Sequence, residues 1–411
     1  MNTRLIKRVL VCFVLAFAGR SFGYVTNEWN NATGDCKWST AGNWSLGVVP
    51  NAGDVVACVA QSDDKPINVD VAGVSILRFA LTGDGQIVFE GQPIKLTGKY
   101  VESGDSTIRM TSGNTKALFR NEVEFAPTDT SCGVWMSSSA YLTFAAPVKV
   151  TGDNKVFNLH NSPISTGTED RSKSSKIYFL SSLTGLGATY RPQKAYCNYV
   201  YFYGPVKLKA FYNGAAWVNP WIFLYSKDNE FTNPSILLNY SDSLVYAGAE
   251  GAFPTNLVLS WPNDGSIGGA TANYGNYYAS YNLGNFNQTV DRIAGARTAD
   301  VAANTYGAAI HSSAAATSPD AVLPVTLTLR GTQDAETYAI VEDSVSVVWD
   351  PVGDFTQTFS ARASRTCGSL VVRRGTLRLA GTSKFANAQA VRVAAGATFD
   401  LQSTQASALK S

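Results

Sequence analysis

The chain has 411 residues, of which 16% are charged, with a formal net charge of +2, 35 glycines, 19 tyrosines and 20 phenylalanines. This length allows a large core and more than one domain, and the near-neutral balance gives no electrostatic reason to hold nucleic acid or an anionic membrane surface. Few charges, abundant Gly and aromatics, and no long Ala/Leu/Glu/Lys stretch of 3.6-residue period exclude a helical or disordered protein and point to an all-β extracellular one.

Residues 1–23 read as a secretory signal. Arg4, Lys7 and Arg8 form a basic start, and Val9 to Gly19 is an apolar run too short to span a bilayer as a helix. Ser21 and Gly23 put small residues at −3 and −1 of a cleavage point before Tyr24. A membrane anchor is the alternative reading. Cleavage removes Arg4, Lys7, Arg8 and Arg20 and no acid, which takes the net charge from +2 to −2. Five cysteines remain: Cys36, Cys58, Cys132, Cys197 and Cys367, none in a C-x-x-C pair. A metal cluster or thioredoxin-like chemistry is therefore unsupported, and no cofactor is expected. Export permits a disulfide, and Cys36 with Cys58 is the expected pair because both lie in one N-terminal unit. The others read as buried small hydrophobes.

Residues 24–58 stand apart. KWSTAGNWSLGVVPNAGDVV (37–56) places Trp38, Asn43, Trp44, Gly47, Pro50 and Asp54 in a compact, turn-rich stretch. Such a unit suits the cap of a solenoid, whose first rung would otherwise expose an apolar end and open backbone edges. From 59 to 290 short runs alternate apolar with polar residues: PINVDV (66–71), VSILRFAL (74–81), QIVFEG (86–91), EVEFAP (122–127), AYLTFAAPVKVTG (140–152) and SKIYFLSS (175–182) are examples. Their period is ragged. Much of 262–322, rich in Ala, Gly, Asn, Ser and Tyr, reads as loop, though NLGNFNQTVDRIAG (282–295) looks like a strand–turn–strand unit.

From 291 to 411 the pattern tightens. VRRGTLRL (372–379) and VAAGATFDL (393–401) match, with Gly375 and Gly396 spaced by 21 residues and Leu379 and Leu401 by 22. An extended chain advances ~3.3 Å per residue, so one repeat traces about 70 Å, the path of one three-sided coil. Leu370, Val372, Leu377, Leu379, Val391, Val393, Phe399 and Leu401 would point inward and stack, with the two glycines at turns. This predicts a parallel β-helix of roughly ten to thirteen rungs, a rod about 50–60 Å long. For the ragged middle a β-sandwich is the rival.

CGSLVVRRGTLRLAG (367–381) resembles the repeat unit of the autotransporter-associated β-strand family of exported bacterial proteins, with Gly368, Leu370, Val372, Gly375, Thr376, Leu377 and Leu379 in the expected places. NLGNFNQTVDRIAG and the N-terminal NWSLGVVPNAGDVV are similar to other phrases of that family. The resemblance covers the two ends and leaves the middle unmatched. It implies a right-handed parallel β-helix, secreted or on the cell surface, with a structural or adhesive role and no catalytic residue. No translocator barrel follows in this sequence, so a short form or a part of a longer protein is expected.

The chain has two histidines, His160 and His311, in no metal-binding or hydrolase motif, and both read as structural. Asp63 with Asp64, and Glu122 with Glu124, are the carboxylates to weigh for polysaccharide chemistry. The first pair reads as a turn and the second as the polar outer face of a strand. The stretch 190–226 is dense in aromatics. Tyr199, Tyr201, Tyr203, Trp217 and Trp221 are candidates for stacking on sugar rings, against the competing reading that they stack on one another. Two functions follow. The first is an exported, non-enzymatic solenoid whose partners are glycans or cell-envelope components. The second is a carbohydrate-binding or carbohydrate-cleaving β-helix.

Overall fold

Short alternating strands bury one face only, so they need a partner layer or a coil that closes on itself. The computed structural model shows the coil. It describes residues 24–60, 65–99, 106–161, 174–193, 199–213, 221–233, 235–238, 243–261, 279–295, 308–313, 324–342, 344–360, 368–381, 383, 385 and 388–403. The signal segment, Asp63, Asp64, Cys197, Trp217 and Cys367 lie outside these residues.

Successive strands take three sides in turn. Val55–Val59 lies on the first side, Ile67–Val69 on the second and Val74–Ile76 on the third. Arg78–Thr82 then returns beside Val55–Val59, pairing Val56 with Phe79 and Cys58 with Leu81. The same order repeats along the chain, with described strands on the second side as far as Ile340–Val341 and on the other two as far as Val391–Val393 and Thr398–Ser403. Among the described residues every strand ladder is parallel, and the one antiparallel contact is the Trp29–Trp44 bridge in the cap. The middle region is thus part of the β-helix and not a sandwich, whose sheets pair antiparallel.

From Val55–Val59 onward fourteen described strands follow one another on the first side, and steps of ~4.8 Å make a rod about 60 Å long. The count exceeds the expected range because corners use few residues. VSILRFAL is two strands bent at Leu77, whose N–H reaches Asp54 O at 2.9 Å. Asp291 is a similar corner between Gln288–Val290 and Arg292–Ala294, its N–H 2.8 Å from Leu257 O. The ladder runs through both corners, so neither needs a Gly or Pro.

The core is one continuous column system. On the second side Phe89, Phe119, Phe144, Phe179 and Phe202 are direct register partners, with consecutive ring centroids 4.7, 5.4, 5.1 and 4.8 Å apart. Rung spacing alone puts identical rings at stacking distance. In the regular region Leu370, Val372, Leu377 and Leu379 are fully buried as expected. Their partners Val391, Val393 and Leu401 keep the inward register but are 37%, 47% and 51% exposed, because no described rung stacks on them. Gly375 turns the chain with φ 59°, and a Cβ there would meet Phe355 O at 2.5 Å.

The cap forms as its composition requires. Trp44 packs edge-on against Trp29 and Trp38, at 4.9 and 4.7 Å between centroids, and its Nε1–H donates to Trp38 O at 2.8 Å. Buried Asn43 donates to Asp35 Oδ1 and Lys37 O and accepts from Thr33 N–H and Oγ1–H. Asp35 accepts from the Lys37 backbone N–H, the Thr40 hydroxyl and Asn43 Nδ2–H, in that order of effect, and these bonds hold its carboxyl far below the usual carboxylate range.

The expected Cys36–Cys58 disulfide is absent. Both thiols are free. Cys58 points into the coil from Val55–Val59, whereas Cys36 sits at a turn with φ 58°, its Sγ accepting from Asn31 Nδ2–H. Sharing a unit did not put the two side chains on one side of it. Cys132 is also free and buried.

Candidate binding surfaces: an outer aromatic ladder and a polar seam

Alternation along the second-side strands divides the aromatic stretch into two populations. Ile177, Phe179, Val200, Phe202, Ile222, Leu224, Val245 and Ala247 point inward. Tyr178, Tyr199, Tyr201, Trp221, Phe223 and Tyr246 point outward and form a second apolar cluster. Register makes that cluster a grid. Tyr178, Tyr201, Phe223 and Tyr246 are consecutive partners, with centroids 4.9, 4.5 and 5.5 Å apart. Beside this column Tyr199 meets Trp221 edge-on at 5.2 Å, and Tyr203 stacks on Tyr225 at 4.7 Å. Lys176 Nζ lies over the rings of Tyr141 and Tyr199 at 5.6 and 5.9 Å.

Of the predicted sugar-stacking residues, Tyr199, Tyr201, Tyr203 and Trp221 are therefore brought together, and Trp217 lies outside the described residues. Tyr203 is 46% exposed, Tyr199 and Tyr201 are half-buried and Trp221 is buried. Tyr201 lies within 13° of parallel to Phe223 and within 9° of parallel to Tyr178. Its faces are covered by its neighbours, so it offers edges and a hydroxyl to the outside. Burial, reinforced by the neighbouring phenols, pushes the Tyr201 hydroxyl well above its ordinary value and that of Tyr225 up to about 12. Tyr201 and Tyr225 therefore stay neutral throughout the physiological range.

Charged outer positions pair between rungs. Glu124 lies between its register partners Lys95 and Lys149, with Lys95 Nζ 3.8 Å away and Thr151 Oγ1–H donating at 2.6 Å. Glu122 takes Lys149 Nζ at 2.6 Å, which raises the lysine above its usual value. Lys207 with Glu230 and Arg378 with Asp400 repeat the arrangement. A parallel stack places every outer side chain over another, so alternating sign prevents columns of like charge. Glu122 and Glu124 sit in such pairs on an outer face. His311 packs with Nε2 3.2 Å from Ser280 Oγ, and burial lowers its pKa to about 4. His160 is buried in a strand beside Trp135. Among the described residues no group of three or more His, Cys, Asp or Glu is placed to hold a metal.

Sequence reading missed a polar cavity at the seam between two sheets. It has a volume of about 360 Å³ and is lined by Arg292, Ala294, Gly295, Gln333, Asp334, Ala335, Glu336 and Tyr338. Its cause is a break in the ladder. Gly295 bridges Thr337, with Gly295 N–H to Glu336 O and Tyr338 N–H to Gly295 O, both at 3.0 Å. That register would place Ile293 opposite Ala335. Instead the Ile293 N–H donates to Gln357 Oε1 at 3.3 Å, and Gln357 Nε2–H donates to Ile293 O at 3.1 Å. The buried Gln357 side chain supplies the donor and acceptor of the missing strand segment. Ala335–Thr337 keeps its ladder to Gln357–Phe359 on the other side, and the cavity opens where the pairing with Ile293 is missing.

The polar groups of the cavity are partly committed. Arg292 Nη1 is held by Asp291, whose carboxylate also accepts from Thr332 N–H and Oγ1–H. Asp334 Oδ1 accepts from Thr356 N–H at 2.8 Å, and Glu336 Oε1 accepts from Ser360 Oγ–H at 2.7 Å. The second oxygen of each carboxylate, the rest of the Arg292 guanidinium, the Gln333 amide and the Tyr338 hydroxyl have no side-chain partner among the described residues. Arg292 lies in a phrase that stood out in the sequence, but Gln357 is 64 residues away and no local pattern links the two. No family model, curated protein or solved structure matches the chain.

Proposed function

We propose that the protein is an exported, non-enzymatic β-solenoid that serves as a cell-surface or extracellular structural or adhesive rod, with glycans or cell-envelope components as partners. The observation that carries this reading is the stack of parallel strands that the described residues form between Val55 and Ser403, whose outer faces repeat at rung spacing. Such a surface suits repeated weak contacts along an extended partner, where linked contacts multiply affinity. The basic start, short apolar run and small residues before Tyr24 support export. The resemblance of the two ends to exported bacterial repeat proteins supports the same reading.

Cell fractionation combined with N-terminal mass spectrometry tests it. The expected result is a mature chain beginning at Tyr24, found in the envelope or the medium and open to added protease. Retention inside the cell with residues 1–23 intact would overturn the proposal.

A further inference from the structure

We propose that the seam cavity is a binding site for a neutral saccharide. The inference goes beyond the rod-like role, because the site lies within one molecule and does not depend on export.

The chemistry of the lining selects the ligand. Acceptors at Asp334 and Glu336 with no partner among the described residues stand beside donors on Arg292 and the Gln333 amide in the same state, and beside a Tyr338 hydroxyl that can do either. A ligand that satisfies such a mixed set must donate and accept over a short distance. The adjacent hydroxyls of a sugar ring do both. Two carboxylates disfavour an anion by like-charge repulsion. A simple cation is drawn by the same two carboxylates, since Asp291 offsets the charge of Arg292, but it leaves the Arg292 and Gln333 donors unanswered. The volume of about 360 Å³ lies near the lower end of the ~300–1,000 Å³ typical of small-molecule sites.

The cavity is also built into the fold. Gln357 is fully buried and spends its amide on both backbone groups of Ile293. With a simple ladder at this rung, the segment carrying Gln333, Asp334 and Glu336 would close against Arg292–Ala294. Asp291 holds one guanidinium nitrogen of Arg292, Nη1, and Thr356 and Ser360 fix one oxygen of each carboxylate. The lining is therefore oriented before any ligand arrives, which reduces the ordering cost of binding.

The test uses the purified protein with maltohexaose, cellohexaose, xylohexaose and mannohexaose as neutral probes, hexagalacturonate as the anionic probe and spermidine as the cationic one. Titration calorimetry and ligand-observed NMR supply the readout. At least one neutral probe is expected to bind with a Kd of about 1 mM or tighter. Asp334→Asn and Glu336→Gln keep an oxygen for Thr356 and Ser360 and convert the free oxygen to a donor, so the fold is retained. Together they are expected to weaken binding about tenfold or more. Gln333→Ala, at an exposed side chain, is expected to weaken it without changing thermal stability, and Glu122→Gln on the outer face is expected to leave it unchanged. The proposal is overturned if no neutral probe binds at about 10 mM, if hexagalacturonate or spermidine binds more tightly, or if the cavity variants bind as well as wild type.

Discussion

Replacing Gln357 by leucine tests how the solenoid crosses its own seam. The two side chains are close in size, so the change removes hydrogen bonds with little change in volume. Gln357 is fully buried, and its amide is the partner of both Ile293 N–H and Ile293 O. Each buried backbone group left unsatisfied costs ~1–3 kcal/mol, so the loss is about 2–6 kcal/mol. Desolvating leucine in place of an amide returns some of this, and a net cost of about 2–4 kcal/mol is expected. Against a total of ~5–15 kcal/mol that is a large fraction. Urea denaturation reads the size of the effect, and hydrogen exchange reads its place. The Ile293 amide should lose protection, while the distant Phe89–Phe144 rungs keep theirs, since solenoid coupling is mainly between neighbours. A change below about 0.5 kcal/mol, or an Ile293 amide as protected as before, would refute the account of the seam.

Three further outcomes follow. Phe144→Ala opens the internal stack between Phe119 and Phe179 and is expected to cost about 3–5 kcal/mol in urea denaturation, with exchange rising first in the rungs that hold those rings. Gly375→Ala should be clearly more destabilising than Gly396→Ala in thermal melts. Both have positive φ, but only Gly375 would bring a Cβ against a backbone oxygen, while Gly396 has nothing within 4 Å. His311, part-buried at the end of its strand, has its pKa lowered to about 4 by desolvation, so it binds its proton more weakly in the folded state than in the unfolded one. Its effect is absent above about pH 6.5, and stability falls as pH drops from there to about 4, by at most about 3 kcal/mol. His311→Leu should flatten the stability curve in that window, and an unchanged slope would show that other groups set it.

Legibility in the sequence followed locality. The rungs containing Leu370 to Leu379 could be read because strand, turn glycine and strand recur at near-constant spacing. The cap could be read because its bonds are local: Asn43 donates to Lys37 O, Trp44 to Trp38 O, and Asp54 accepts from the Asn51 N–H. The middle looked ragged for two physical reasons. Rung lengths differ there: Phe79 pairs with Ile108, 29 positions on, while Phe125 pairs with Val150, 25 on. Corners at Leu77 and Asp291 carry no Gly or Pro, so two strands read as one run. The outer aromatic ladder was half legible. Alternation put Tyr199, Tyr201 and Tyr203 on one face, but only the register shows that Tyr201 is sandwiched between Tyr178 and Phe223. The seam cavity was not legible, because it depends on Gln357 reaching back across the coil to Ile293.

The most direct measurement is a set of electron-spin distances along the third side of the coil. Lys95, Glu124, Lys149, Thr184 and Lys207 are consecutive register partners on outer positions. Labels at Lys95 and Lys207 should lie about 19 Å apart, four rungs at ~4.8 Å, and labels at Lys95 and Lys149 about half that. Moving one label to Arg392, near the far end of the same side, should lengthen the separation to about 50 Å. Distances that do not grow with the number of intervening rungs would contradict the coil.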